Sequence, residues 1–171
     1  MFHGESSGVD LAVSLSANGI RFVRSGERIN MAPLWWPNLY LSYSGQRGMT
    51  SDCVAKVKRM FEVDRGRAEA IDDRMLSAVE LAQKSLALNE AEGLTMLEEA
   101  IRKASSCFED WGLCFGELSK HISDLRSAGA LAVKPTGSGG GGYVLSLWKS
   151  TPPDRYDGLL FKVQAPVIKS N

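Results

Sequence analysis

A chain of 171 residues that is 44% hydrophobic can bury one core and is too short for two large ones. Twenty basic and twenty acidic residues cancel, and no run of Lys or Arg alternates with aromatics, which excludes the charge signature of a nucleic-acid binder. The apolar runs fall short of the ~20 residues of a spanning helix, the N-terminus has no signal-like stretch, and Cys53, Cys107 and Cys114 show no CxxC spacing. The expectation is a cytoplasmic protein with reduced thiols, no metal site and no membrane contact.

From Leu11 to Ser44 short alternating apolar segments, "LAVSLSA", "GIRFVRSGERINMAP" and "NLYLSYS", predict strands, with Ser25-Gly26 as a hairpin turn. Pro33 and Pro37 bracket Trp35 and Trp36, which read as folding over a sheet edge. The period then changes. Val54, Val57 and Phe61 begin a helical block; Ile71, Met75, Ala78, Ala82 and Leu86 continue it; Leu94, Leu97, Ile101, Ala104, Phe108 and Trp111 repeat it most cleanly. Asn89 and Glu92 resemble a capping pair, and Phe115, Leu118, Ile122 and Leu125 define a fourth helix that Ser127 to Gly129 stops. After Gly129 three β-type runs follow, "ALAVK", "YVLSLW" and "GLLFKVQAP".

"TGSGGGG", Thr136 to Gly142, separates the first two of these runs. Gly137, Gly139 and Gly142 satisfy GxGxxG, but β-branched and aromatic residues resume at Tyr143 where a dinucleotide-binding turn would enter a helix. No Lys-Ser or Lys-Thr follows, so it is not a Walker loop. A flexible linker also fits poorly, because the flanking segments need each other to bury their apolar faces and only ~30 residues follow. A glycine-rich bend between two strands remains, equally compatible with an anion-binding concavity and with a wide turn that binds nothing. At the other end, "HGESSGVDLAVS" places Asp10 beside a small-residue loop, where an isolated acid is ordinarily a turn or cap residue.

Taken together, "HGESSGVD" (His3 to Asp10) and "KPTGSGGGG" (Lys134 to Gly142) resemble the paired signatures of the GHMP kinases, and within them the mevalonate kinase branch most closely. The order of the two, the helical block between them and the strand "YVLSLW" agree over nearly the whole chain. The resemblance implies an α+β, ferredoxin-like fold: a mostly antiparallel sheet of about four strands covered by helices on one face, with an N-terminal β extension. It implies phosphoryl transfer from ATP to a metabolite hydroxyl. Asp10 would accept the hydroxyl proton, and Ser7 would stand near the transferring phosphate. Thr136, Gly137, Ser138, Gly139, Gly140, Gly141 and Gly142 match the loop that lines the acceptor pocket. Thr50 falls where the family starts a helix near the substrate; read alone it is a simple N-cap.

The family's main ATP-phosphate loop, of the form "PxxxGLGSSAA", and its magnesium-binding acid lie upstream of the His-Gly motif. This chain starts two residues before that motif, so residues 1–171 are expected to form the C-terminal domain alone, without the N-terminal ATP-binding domain. On this expectation ATP and Mg2+ are bound mainly by residues outside the chain, and the isolated chain is inactive. The implied partners are a small acceptor such as mevalonate, and an N-terminal kinase half or a homodimer partner. The competing reading is a non-catalytic metabolite-binding or protein-interaction domain. Glu5-Ser6 departs from the signature and adds a charge, and Pro152-Pro153 shortens the last connection to a loop. His121 reads as a core-boundary residue, Asp72-Asp73 and Glu98-Glu99 as solvated helix faces, and Arg47 as an exposed loop residue.

Overall fold

The computed structural model describes residues 19–23 and 28–165. It opens with two short strands, β1 (Ile20–Phe22) and β2 (Arg28–Asn30), paired antiparallel with Arg21 opposite Ile29. The expected Ser25-Gly26 turn, the strand expected at Leu11, and the His3 to Asp10 motif lie outside the described residues.

Four strands form the main sheet: β3 (Asn38–Tyr43), β4 (Ala132–Pro135), β5 (Tyr143–Trp148) and β6 (Phe161–Lys162). They lie in the order β4-β5-β3-β6 with every pairing antiparallel. The first of the four thus sits between the third and the last, which is the split βαβ arrangement of a ferredoxin-like sheet. Between β3 and β4 run α1 (Thr50–Val63), α2 (Arg65–Ser85), α3 (Glu90–Asp110) and α4 (Gly116–Ser127). The second crossover, which follows Pro152-Pro153, is reduced to a 3-10 turn at Asp154–Tyr156. Gly158, at φ +73°, then turns the chain, leaving only Phe161 and Lys162 to pair with Leu41 and Tyr40.

The helix boundaries have local causes. Asp64, at φ −145°, ends α1 and starts α2, its carboxylate accepting the Arg67 N–H at 3.1 Å. Asn89 caps α3 reciprocally: its side-chain oxygen accepts the Glu92 N–H at 3.1 Å, and its amide donates to the Glu92 carboxylate at 2.8 Å. The Trp35 indole N–H donates to the Ser85 carbonyl at 3.0 Å, where α2 turns toward α3. Gly93 lacks the Cβ that would meet that indole at 2.5 Å. Trp36 donates to the Val163 carbonyl at 3.3 Å, beside the edge strand β6.

Helices reach both sheet faces where one covered face was expected, because alternation along the strands divides the core in two. Tyr40, Val133, Val144 and Trp148 share one face and pack on Leu118, Ile122 and Leu125 of α4. Leu39, Ala132 and Leu147 share the other and pack on Leu97 and Ile101 of α3. Ser146, fully buried on the first face, is satisfied by the Tyr40 carbonyl and the Trp148 indole.

His121 ties α4 to the sheet, its Nε2 lying 2.7 Å from the Ser42 hydroxyl. Burial pushes the imidazole below its usual 6.5, an effect that Asp124 opposes. A native state that holds this proton less tightly than the unfolded chain is fully stable above about pH 6.5 and loses stability as the pH falls below it. Denaturant titrations should therefore show a falling midpoint between pH 6.5 and pH 5 that is shallower in His121→Gln. Identical slopes in the two proteins would contradict this.

Candidate functional site

β4 ends at Pro135, opposite Val144, and the chain returns into β5 only after Thr136 to Gly142. The Thr136 N–H and hydroxyl both donate to the Tyr143 carbonyl, at 3.0 and 2.8 Å, and close the neck of the loop. Beyond that neck Gly137, Gly139, Gly140, Gly141 and Gly142 all have positive φ, from +62° to +148°, which side-chain-bearing residues rarely adopt. The stretch is an ordered bend.

A second loop, Ser44 to Gly48 at the end of β3, holds it. The Ser44 N–H donates to the Gly142 carbonyl at 2.9 Å, and the Gly142 N–H donates to the Gln46 carbonyl at 2.7 Å. The Gln46 amide donates to the Gly140 carbonyl at 2.7 Å, and the Gly140 N–H donates to the Leu113 carbonyl at 2.8 Å. The backbones approach closely enough that a Cβ on Gly48 would lie 2.8 Å from the Gly139 oxygen, and one on Gly141 2.6 Å from the Gln46 oxygen.

The interlocked loops meet the start of α1. Met49, not Thr50, occupies the cap position and offers no side-chain bond; Thr50 is the first helical residue. Its hydroxyl instead accepts from Ser138 at 3.2 Å, so two residues 88 positions apart touch where the glycine loop reaches the helix N-terminus. Asp52 sits in the first turn, where a negative charge complements the helix dipole. Ser7 and Asp10 lie outside the described residues.

Two clefts flank the first turns of α1. One, of about 380 Å³, is lined by Gln46, Arg47, Gly48, Asp52, Lys56 and Gly140. The other, of about 480 Å³, is lined chiefly by Val54, Val57, Phe61, Met75 and Trp111, with Gly137 and Ser138 at its edge. Cys53 and Leu113 border both. Arg47 is exposed, as expected, and lines the first cleft together with Met49 and Phe115. Lys56 donates to the Gly112 carbonyl at 2.6 Å and lies 5.8 Å from the Phe115 ring. Asp72 borders the apolar cleft, and its carboxyl is raised by burial and then by Asp73. Glu98 and Glu99 pair with Arg102 and Lys103 one turn on, as a solvated face would.

Lys134 precedes the loop on β4. Its ammonium donates to the Pro135 carbonyl at 2.7 Å and lies 5.5 Å from the Phe108 ring, and burial pushes it down to about 8. Among the described residues no group of three or more His, Cys, Asp or Glu side chains is arranged to hold a metal ion, and no helix is long and apolar enough to cross a membrane.

No family model matches the chain. Mevalonate kinases of Pyrococcus horikoshii and Pyrococcus abyssi are each 30% identical to it over 149 residues, covering 86% of this chain and 44% of theirs. The chain thus spans less than half the length of the curated relatives it matches. Among solved structures, L. major mevalonate kinase in complex with R-mevalonate superposes with a TM-score of 0.77 at 20% identity, covering 97% of this chain and 55% of that one.

The glycine contacts predict opposite outcomes for similar substitutions. Gly48→Ala and Gly141→Ala drive a Cβ into backbone atoms that cannot move aside, and each should cost about 2 kcal/mol or more. Gly66→Ala in α2 meets nothing within 4 Å and should stabilise by about 0.5 kcal/mol. Urea unfolding of the three variants checks the ordering.

Proposed function

The chain belongs to the GHMP kinases of the mevalonate kinase type, and on that premise we propose that it is the C-terminal, acceptor-side half of a small-molecule phosphotransferase. The observation that carries this reading is the contact between Ser138 and Thr50. It sets a glycine loop against the N-terminus of α1, and both kinds of backbone favour an anion such as a transferring phosphoryl group. A linker or an idle turn needs no such junction.

In this reading ATP, with magnesium, supplies the γ-phosphoryl, held mainly by a complementary N-terminal half. Among the described residues no cluster of carboxylates, imidazoles or thiols would hold magnesium, whereas a glycine loop and a helix N-terminus suit a phosphate oxygen. Asp10 orients the acceptor hydroxyl and takes its proton as the oxygen bonds to phosphorus and the bond to the departing diphosphate oxygen breaks. By the resemblance of its motif, Ser7 would stand near the transferring group. Thr50 and Ser138 hold the loop against α1, and Thr136 to Gly141 present backbone groups to the pocket. Mevalonate is the acceptor that the relatives suggest, and a soluble cytoplasmic enzyme is the corresponding setting.

The chain alone should give no measurable phosphoryl transfer to mevalonate. Addition of a separately produced N-terminal mevalonate kinase half should restore turnover, and Thr50→Ala should lower the restored kcat by about tenfold, the equivalent of one lost hydrogen bond. Turnover by the lone chain would refute the division of labour. Mevalonate binding without turnover in any pairing would establish a non-catalytic binding domain instead.

A further inference from the structure

We propose that Gln46 is a positioning residue for the glycine loop, selecting one orientation of the two peptide planes that flank Gly141. The proposal deepens the phosphate-binding reading of that loop and rests on it for its functional meaning.

The geometry begins with the planarity of the peptide unit, in which the C=O of one residue and the N–H of the next point to opposite sides. The Gln46 side-chain amide draws the Gly140 carbonyl toward itself at 2.7 Å, so the Gly141 N–H must point the other way. The Gln46 main-chain carbonyl receives the Gly142 N–H at 2.7 Å, so the Gly141 carbonyl is turned away in its turn. One residue thus grips two successive planes from opposite ends. Four consecutive glycines, Gly139 to Gly142, have no side chains to resist a plane flip, so an external grip decides which way their N–H groups face.

Gln46 is itself held. Its side-chain oxygen accepts the Glu117 N–H at 3.0 Å, at the start of α4, and Ser44 exchanges contacts with its main chain at 3.3 and 3.4 Å. A Cβ on Gly116 would come within 2.6 Å of that side-chain oxygen, so the glycine there leaves room for it. With the oxygen fixed by Glu117, the amide nitrogen is committed to Gly140. The carboxamide is the group this needs: it must donate at one end and accept at the other.

That requirement makes Gln46→Glu a titratable test. An ionised carboxylate still accepts from Glu117 but cannot donate to the Gly140 carbonyl; a protonated one can do both. The full chain is used, and amide hydrogen exchange is read at Gly140 and Gly142 as the ratio of variant to wild type at each pH. The ratio should be about tenfold at pH 8, for one lost hydrogen bond, and fall to about twofold near pH 4.5, where a carboxyl with the ordinary Glu pKa of about 4.3 is roughly two-fifths protonated. Gln46→Met, of similar length but without either polar atom, should show a raised ratio that does not change with pH.

Wild-type exchange in both variants at every pH would overturn the proposal. So would uniform acceleration that includes the β5 amides, since it would show a general loss of stability. Titration of the wild-type chain with inorganic phosphate separates the two readings. Shifts at the Gly139 to Gly142 amides that weaken in Gln46→Glu at pH 8 support both, whereas the predicted exchange pattern without any phosphate shift supports the positioning role and sinks the phosphate reading.

Discussion

Two stretches of main chain, one leaving β3 and one joining β4 to β5, pass so close that neither tolerates a side chain at the crossing. Gly48 and Gly141 are the residues that permit it. The crossing ties the exit from β3 at Ser44 to the entry into β5 at Gly142, and the four helices are looped out between β3 and β4. A closed neck limits the conformational freedom of that long excursion, and the entropic cost of closing it grows only slowly with its length. Everything at the candidate site is hung from this neck: the start of α1, the two clefts beside it, and the anchoring of Gln46.

The helical block and most of the sheet were legible because their signals are periodic. Stripes such as Leu97, Ile101, Ala104 and Phe108 bury one side of a helix, and "YVLSLW" is a β-type apolar run that the sheet buries on both faces. The Asn89–Glu92 cap was legible for the same reason, being a short-range rule. What escaped is non-periodic. Asp64 divides a continuous helical pattern by a local backbone turn, and "GLLFKVQAP" yields a strand of only two residues because the turn through Gly158 and Leu159 and the bend at Leu160 consume its start. The two-sided core follows from the register of β3, β4 and β5, which no single segment reveals. Gln46 carried no signal at all: a lone glutamine in a loop acquires meaning only from Gly140, 94 residues away. Resemblance set Thr50 at the opening of a helix, and the structure makes it the first helical residue, with Met49 at the cap position and Ser138 in contact with its hydroxyl.

Identity and shape contribute differently here. At 20% identity, the superposition on L. major mevalonate kinase speaks to the fold. The archaeal relatives, at 30% identity over most of this chain, connect that fold to a lineage. Neither reaches the chemistry unaided, which depends on what surrounds particular atoms. The sheet shows why a fold can be kept while its details change: one crossover has shrunk to a 3-10 turn, yet β6 still pairs with β3, held by the Val163 N–H on Leu39 and by the Trp36 indole on the Val163 carbonyl.

Cys53 and Leu113 border both clefts, so the same two side chains stand between the recess lined by Arg47, Asp52 and Lys56 and the one lined by Val54, Val57 and Phe61. The thiol is also wedged under Gly140, whose missing methyl leaves it its space, so the partition is fastened to the loop it supports. One small thiol is therefore wall to two recesses and footing to the loop above them.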